Sequence, residues 1–382
     1  MKHEGIWAAR LALLAAVAWP LQAAMGATFA DHVQAIAAGT LAGPECTGAS
    51  VAIAFAGTAG TGQAFSGRVA YANGATESAG PNTIYEIGSV TKTFTAFLLA
   101  DAVAKGLVKL DDPVAKYLPE GTRLPVFQKD GQTYPIRLVD LATHTSGLPR
   151  ALPDMVFPFS TAQMYAGLAK VSLTAQPSTA WDYSNLGFAL LAEAMQRVFK
   201  QPYEKLLADR IDAPLGIPHT ALVSAGSDGA CTPIGYGPNG GQAPLNNNSW
   251  PAFNGAGAIR SSLADMTRYL DFAISGAGDT GKLRPLLFSW QRFDKLDGSG
   301  SVEQGLAWQR ITPFGNGVDV VWKDGEVPGF ASYIAFSEKL GEGVVVLTNR
   351  QSCKAVRAGL CVLRAAGDAA GMAATRGPNC VF

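Results

Sequence analysis

Ser89-Val-Thr-Lys92 is the stretch on which the reading of this chain turns. It opens an apolar-periodic run, Thr91 to Lys105, in which Phe94, Phe97, Leu98, Ala102 and Val103 fall at helical spacing and Gly106 supplies a stop. Ahead of it, Ile84 to Ile87 reads as a short extended piece. Ser89 is therefore expected where an extended segment meets a helix, beside unsatisfied N–H groups and the positive end of the helix dipole. Both favour negative charge developing near its hydroxyl. Lys92 comes one turn later and shares a face with Ser89. In apolar surroundings near that positive end its pKa is expected to fall, and a neutral lysine can take the serine proton. Read alone, Ser-x-x-Lys is a weak signal that more often describes an N-capping serine followed by a surface lysine.

Two later motifs change that balance. Tyr183-Ser184-Asn185 stands just before an expected helix, Leu186 to Phe199. A phenol next to two cations can ionise and serve as a general base, and Asn185 can donate to a substrate carbonyl. Lys323-Asp324-Gly325 is expected to end one strand ahead of Pro328-Gly329-Phe330. Lys323 brings positive charge, and Gly325 lets backbone approach a substrate closely. A strand edge here can pair a backbone N–H with that of Ser89 to form an oxyanion hole. The bland readings are a helix start with a buried aromatic and an ordinary Asp-Gly turn. In this order, however, the three motifs supply a nucleophile, proton carriers and a cation, the complement of a serine acyl-transfer site.

Working outward, Asp31 to Ala38 reads as a short helix, and Ser50 to Phe55 with Ala64 to Tyr71 as a hairpin. The middle third is helical in pattern and rich in proline. Residues 224–257, dense in Gly, Asn and Pro, read as loop. Strand-like runs return at Val318 to Trp322, Gly329 to Phe336 and Gly343 to Leu347, and Lys354 to Ala366 closes as a helix. Strands, helices, strands, helix is solved economically by one sheet drawn from both chain ends, with a helical domain inserted. The expected fold is mixed α/β (α+β): an antiparallel sheet flanked by helices in a domain of residues 27–106 plus 256–382, and a mainly helical domain of 107–255.

Glu86-Ile-Gly-Ser89-Val-Thr-Lys92-Thr-Phe-Thr, Leu107-Val-Lys-Leu-Asp-Asp-Pro113, Leu141-Ala-Thr-His-Thr-Ser-Gly-Leu-Pro149, Gly305-Leu-Ala-Trp308 and Gly329-Phe-Ala-Ser-Tyr-Ile-Ala-Phe336 together resemble the serine β-lactamase and penicillin-binding-protein superfamily. The resemblance covers roughly residues 30 to 365 and lies in the class C-like branch. With Pro149-Arg150 after the His-Thr-Ser run, it is nearest to periplasmic D-alanyl-D-alanine carboxypeptidase/endopeptidases of the AmpH type. It implies a two-domain β-lactamase/transpeptidase-like fold and a serine hydrolase without cofactor. Ser89 would form an acyl-enzyme, with Lys92 and Tyr183 sharing proton transfer. Backbone N–H groups of Ser89 and Glu326 would form the oxyanion hole, and Asn185 would orient the substrate amide. Lys323 would attract a carboxylate of a peptidoglycan peptide or β-lactam. Class C-like β-lactamases and carboxylesterases share this machinery, and a non-catalytic penicillin-binding sensor would share the fold. One departure stands out: the family usually has Thr or Ser where this chain has Asp324. A carboxylate 4 Å from a substrate carboxylate costs about 1 kcal/mol in water and more in a cleft. Asn349 and Arg350, at the end of a later strand, are the residues expected to compensate.

Composition sets the remaining bounds. The 382 residues are 48% hydrophobic, with 30 basic against 30 acidic side chains and no basic stripe, so nucleic acid is not an expected partner. Lys2 and Arg10, the apolar run Leu11 to Val17, and the small residues Ala23, Ala24 and Gly26 read as a signal peptide, residues 1–26. A periplasmic or secreted protein with no membrane span after cleavage is expected. Cys46, Cys231, Cys353, Cys361 and Cys380 show no metal-ligand spacing, so no metal is expected. Placed on one helix, Cys353 and Cys361 would stand about 12 Å apart, too far to bridge. His144 lacks a G-x-S-x-G elbow elsewhere in the chain and reads as a structural loop histidine.

Overall fold

Both faces of β1 (Ser50–Gly57) are covered, which organises the whole molecule. Side chains alternate along a strand. Ala52, Ala54 and Ala56 join one apolar cluster, and Val51, Ile53 and Phe55 join another on the opposite face. The computed structural model describes residues 28–46, 48–57, 60–153, 155, 159–223, 233–244, 251–276, 279–369 and 380. The expected signal segment, Cys231 and much of 224–257 lie outside them.

In chain order, α1 (Phe29–Ala42) starts at Thr28, whose hydroxyl accepts from the Asp31 N–H while the Asp31 carboxylate accepts from the Thr28 N–H. β1 and β2 (Gly60–Ala70) form the expected hairpin, followed by β3 (Thr76–Ser78) and β4 (Ile84–Glu86). α2 (Thr91–Ala104) is the helix that carries Lys92. The middle of the chain contributes a small hairpin, β5 (Phe127–Lys129) and β6 (Gln132–Tyr134), then α3 (Leu138–Ala142), α4 (Thr161–Leu168), α5 (Asn185–Phe199) and β7 (Ala221–Leu222). β8 (Ile259–Ser262) and α6 (Leu263–Ser275) lead to β9 (Gln291–Asp294), β10 (Ser301–Gln304), β11 (Gln309–Ile311), β12 (Val320–Val327), β13 (Phe330–Ser337) and β14 (Glu342–Thr348). α7 (Ala355–Ala369) follows.

Among the described residues the main sheet has nine strands, in the order β3-β2-β1-β14-β13-β12-β11-β10-β9, with antiparallel neighbours throughout. The first and last long strands pair within it, with Val51 opposite Thr348. α1 and α7 bury Val33, Ile36, Ala358, Val362 and Leu363 against one face. α2, α5 and α6 cover the other in a continuous cluster that runs from Ala54 through Phe94 and Leu98 to Leu190 and Met195. Each large apolar side chain removed from water there contributes about 1.5–3 kcal/mol. Phe94 stacks on Tyr269 with ring centroids 4.1 Å apart, fixing α2 on α6. No described helix is long and apolar enough to cross a membrane.

The mixed α/β architecture with a sheet from both chain ends is as expected, and three local readings change. Lys323-Asp324-Gly325 does not end a strand: β12 runs on to Val327 and pairs with β13 through Asp324↔Tyr333 and Gly325↔Ser332. Cys353 precedes α7 rather than lying on it, and it is bonded to Cys46, while Cys361 is bonded to Cys380. The strands β3 and β5 to β11 are additional to those read from the sequence.

Candidate active site

The turn carrying Ser89 is a short 3-10 segment, Gly88–Val90, between β4 and α2. It is pressed against β12 so closely that both sides need glycine. Gly88 has φ +49°, and a Cβ on it would meet Glu326 N at 2.7 Å. A Cβ on Gly325 would meet Ile87 O at 2.0 Å and Ser89 N at 2.9 Å. Ser332 on β13 pins the approach by donating to Ile87 O at 2.8 Å. This packing brings the backbone nitrogens of Ser89 and Glu326 to the same end of the cleft.

Lys92 is fully buried. Its ammonium donates to Ser89 Oγ at 3.0 Å, Asn185 Oδ1 at 2.8 Å and Ala256 O at 2.5 Å, one acceptor for each of its protons. Burial lowers its pKa to about 8, helped by the charges of Lys323 and Arg150 and opposed by Tyr183. Tyr183 Oη donates to Ser89 Oγ at 2.7 Å. Burial pushes this phenol up, but Lys92 and Lys323 outweigh it and bring the pKa down to about 8. Lys92 Nζ lies 5.0 Å, Arg150 Cζ 4.9 Å and Lys323 Nζ 5.6 Å from the centre of its ring. A hydroxyl thus touches two groups that can each exchange a proton near neutral pH.

Asn185 is the first residue of α5. Ser184 caps that helix by accepting from Gly187 N at 2.9 Å and donating to Pro149 O at 2.8 Å. With Oδ1 of Asn185 committed to Lys92, its NH2 remains the group for a ligand. His144 clamps the segment on both sides of Tyr183. Its carbonyl accepts from Asp182 N at 2.8 Å, its Nδ1 accepts from Ser184 N at 3.1 Å, and its ring packs 4.4 Å from that of Tyr183. Accepting at Nδ1 puts the proton on Nε2. Burial, with Lys92, Lys323 and Arg150 nearby, holds its pKa well below the usual histidine range, so it adds no charge beside Tyr183. The loop histidine is therefore structural, with a position directly behind the phenol.

Lys323 is buried, and its ammonium donates to the Asp324 carboxylate and the Asp324 carbonyl, each at 2.7 Å. Burial lowers its pKa, but Tyr183 and Asp324 more than reverse that, leaving it raised and the lysine charged. Asp324 is among the residues that line the cleft. Asn349 departs from the expectation. It is fully buried, its Oδ1 accepts from Ser50 N at 2.7 Å and Ser50 Oγ at 3.0 Å, and its Nδ2 donates to Ile234 O at 2.9 Å. It ties β1 to the end of β14 and is not among the residues that line the cleft. Asn349→Ala is accordingly expected to cost about 2–3 kcal/mol of stability by leaving buried partners unsatisfied, read as a lower urea midpoint.

The cleft, about 690 Å³, is lined by Ser89, Tyr183, Lys323, Asp324 and Glu326 at one end. Arg150, over the Tyr183 ring, and Arg292 and Lys295 also line it, and sequence reasoning gave them no role. They are exposed or half-exposed cations without a local pattern, and only tertiary structure gathers them.

The β-lactamase family pattern matches residues 33–360. The chain is 31% identical over 284 residues to the D-alanyl-D-alanine-carboxypeptidase/endopeptidase AmpH of Escherichia coli, covering 70% of this chain and 71% of that protein. It is 28% identical over 317 residues to a β-lactamase of Pseudomonas fluorescens, covering 72% and 82%. Among solved structures, a β-lactamase/D-alanine carboxypeptidase from Yersinia pestis superposes with TM-score 0.73 at 26% identity, covering 88% of this chain and 98% of that one. A D-alanine carboxypeptidase from Burkholderia cenocepacia gives 0.72 at 22% identity, covering 88% and 98%, a likeness of fold. The chain belongs to the β-lactamase family and is one of its serine hydrolases.

Proposed function

We propose that this protein is an exported serine peptidase that cleaves D-alanyl-D-alanine-type bonds of peptidoglycan peptides through an acyl-enzyme. The observation that carries the reading is the placement of Ser89 Oγ 2.7 Å from Tyr183 Oη and 3.0 Å from Lys92 Nζ. Ser89 Oγ attacks the scissile carbonyl carbon, and its proton passes to the Lys92–Tyr183 pair. The N–H groups of Ser89 and Glu326 receive the developing oxyanion. Collapse of that intermediate breaks the C–N bond, and the leaving amine takes the proton back. Water then loses a proton to the Tyr183 phenolate and attacks the Ser89 ester, releasing the acid and restoring the serine. The NH2 of Asn185 orients the substrate amide.

Family membership and the AmpH relative support the peptidase reading. The apolar amino-terminal run and the bonds Cys46–Cys353 and Cys361–Cys380 suit an oxidising periplasm. We read residues 107–255 as the inserted domain that supplies Tyr183 and Asn185 to one wall of the cleft. A β-lactamase is the second reading, favoured by the Pseudomonas fluorescens relative. The two differ in the lifetime of the acyl-enzyme.

Mass spectrometry of the protein mixed with a penicillin is expected to place one adduct on Ser89. An adduct lasting minutes or longer, together with release of D-alanine or split cross-links from muropeptides, supports the peptidase. Turnover of about 10 per second identifies a β-lactamase. Absence of any Ser89 adduct or muropeptide product sinks the proposal. The Lys323–Asp324 pair makes a further prediction. Asp324→Thr removes a carboxylate and frees Lys323. It is expected to raise kcat/KM about tenfold for a peptide ending in a free D-alanine carboxylate, relative to its amidated counterpart.

A further inference from the structure

Charge is distributed unevenly along the cleft. At the Ser89 end, Lys323 is matched by Asp324 at 2.7 Å, and Glu326 adds an exposed carboxylate. On the opposite wing, Arg310 is matched by Glu303 at 2.8 Å. Three other cations line the same cleft: Arg150, Arg292 and Lys295. Among the described residues, none of the three forms an ion pair. The nearby carboxylates are Asp182 beside Arg150, Glu303 across from Arg292 and already paired with Arg310, and Asp297 beside Lys295, which also accepts from Ser299 N at 2.9 Å.

The backbone fixes where these cations stand. The guanidinium of Arg150 lies over the Tyr183 ring, 4.9 Å from its centre. Trp181 N donates to Asp294 O at 2.8 Å, and Leu296 N donates to Trp181 O at 2.9 Å. These two bonds hold Lys295 beside Trp181, two residues before Tyr183. Trp181 Nε1 donates to Gln304 Oε1 at 2.9 Å and braces the same wall on β10. Arg292 is on β9, across from Glu303. The cations therefore belong to a wall tied rigidly to the tyrosine.

We propose that Arg150, Arg292 and Lys295 form an anion subsite that binds a carboxylate carried by the substrate away from its scissile bond. This rests on the acyl-enzyme reading of Ser89 and names the substrate class: acyl donors or leaving groups bearing a second, remote carboxylate. Charge-assisted bonds to Arg are strong and geometrically selective. The Lys323–Asp324 pair offers little attraction at the other end, so a charged substrate is oriented with its anion toward β9.

The test compares p-nitrophenyl butyrate with its mono-p-nitrophenyl glutarate counterpart, and phenyl acetate with para-acetoxybenzoate. The first pair adds a carboxylate to the acyl side and the second to the leaving group. In the wild type, kcat/KM for at least one charged ester should exceed that for its neutral partner, and the ratio should fall with added salt. In an Arg292→Gln/Lys295→Gln double variant that ratio should drop at least tenfold. Whichever pair responds identifies the end that carries the anion. Ratios within twofold of wild type for both pairs overturn the subsite. Glutarate affinity, measured by titration calorimetry on Ser89→Ala protein, gives a readout without turnover. It should weaken at least tenfold when Arg292→Gln and Lys295→Gln are added, and an unchanged affinity counts against the proposal. Ester turnover by Ser89→Ala protein would instead overturn the acyl-enzyme reading, with the glutarate measurement still deciding the subsite.

Discussion

Replacing Ser89 with alanine is expected to lower kcat/KM about 10,000-fold or more on every ester or amide the protein hydrolyses, and to abolish the penicillin adduct. The size of the effect follows from the neighbours of the hydroxyl. Ser89 Oγ alone is bonded to both Lys92 and Tyr183. The adjacent hydroxyls cannot substitute: Thr91 Oγ1 accepts from Ile259 N, and Thr93 Oγ1 donates to Val90 O. The variant should fold, because Ser89 caps no helix and Lys92 keeps its acceptors Asn185 Oδ1 and Ala256 O when the hydroxyl is removed. Circular dichroism and the urea midpoint provide that control. A labelled or fully active alanine variant would move the chemistry elsewhere in the cleft.

Removing either proton carrier is expected to cost about a thousandfold and to shift the pH profile in opposite directions. Wild-type kcat/KM should be low at acid pH and rise through about 8, because the competent form lacks one proton from the pair, whose members both titrate near that value. In Tyr183→Phe, Lys92 loses the phenolate that raises its pKa, so the residual limb should move to lower pH. In Lys92→Met, Tyr183 loses the cation that most lowers its pKa, so the limb should move to higher pH. Lys323 has a raised pKa and stays charged through this range. Stopped-flow acylation from pH 6 to 10 reads both shifts (a range chosen to bracket pKa values near 8). Limbs that stay fixed in both variants would show that another group governs the reaction.

Local pattern carried the parts of the site whose chemistry is concentrated in a few adjacent residues. Ser89 and Lys92 share one turn because helical spacing dictates it, and the periodicity of Phe94, Phe97 and Leu98 identifies the helix. The hairpin of β1 and β2 was legible from two strand-like runs separated by a short glycine-rich stretch, and the helix beginning near Leu186 from its apolar pattern. Asp324-Gly325 misled because an Asp-Gly pair usually marks a turn. Here Gly325 is needed within a strand so that Ile87 and Ser89 can approach it, a demand set by residues more than 200 positions away. Asn349 gave the wrong impression for a similar reason. An asparagine at a strand end is suited to a ligand, and only the pairing of β14 with β1 reveals that its Oδ1 accepts from Ser50 while its Nδ2 donates to Ile234 O. The cationic wall escaped notice because Arg150, Arg292 and Lys295 come from three separate segments. His144 was read correctly as structural, although its hold on Tyr183 depends on a left-handed backbone, φ 60°, that no neighbouring residue announces.

The register Val51↔Thr348 has a consequence for how the molecule is made. A chain emerging from the ribosome presents its first hairpin early, but the strand that must lie beside it follows almost 300 residues later. Pairing of β1 with β14 therefore waits for the long intervening segment, and such long-range closure is intrinsically slow. A nascent chain arrested before Glu342 should remain protease-sensitive and unable to react with penicillin, whereas release of the last strand and helix should confer both properties together.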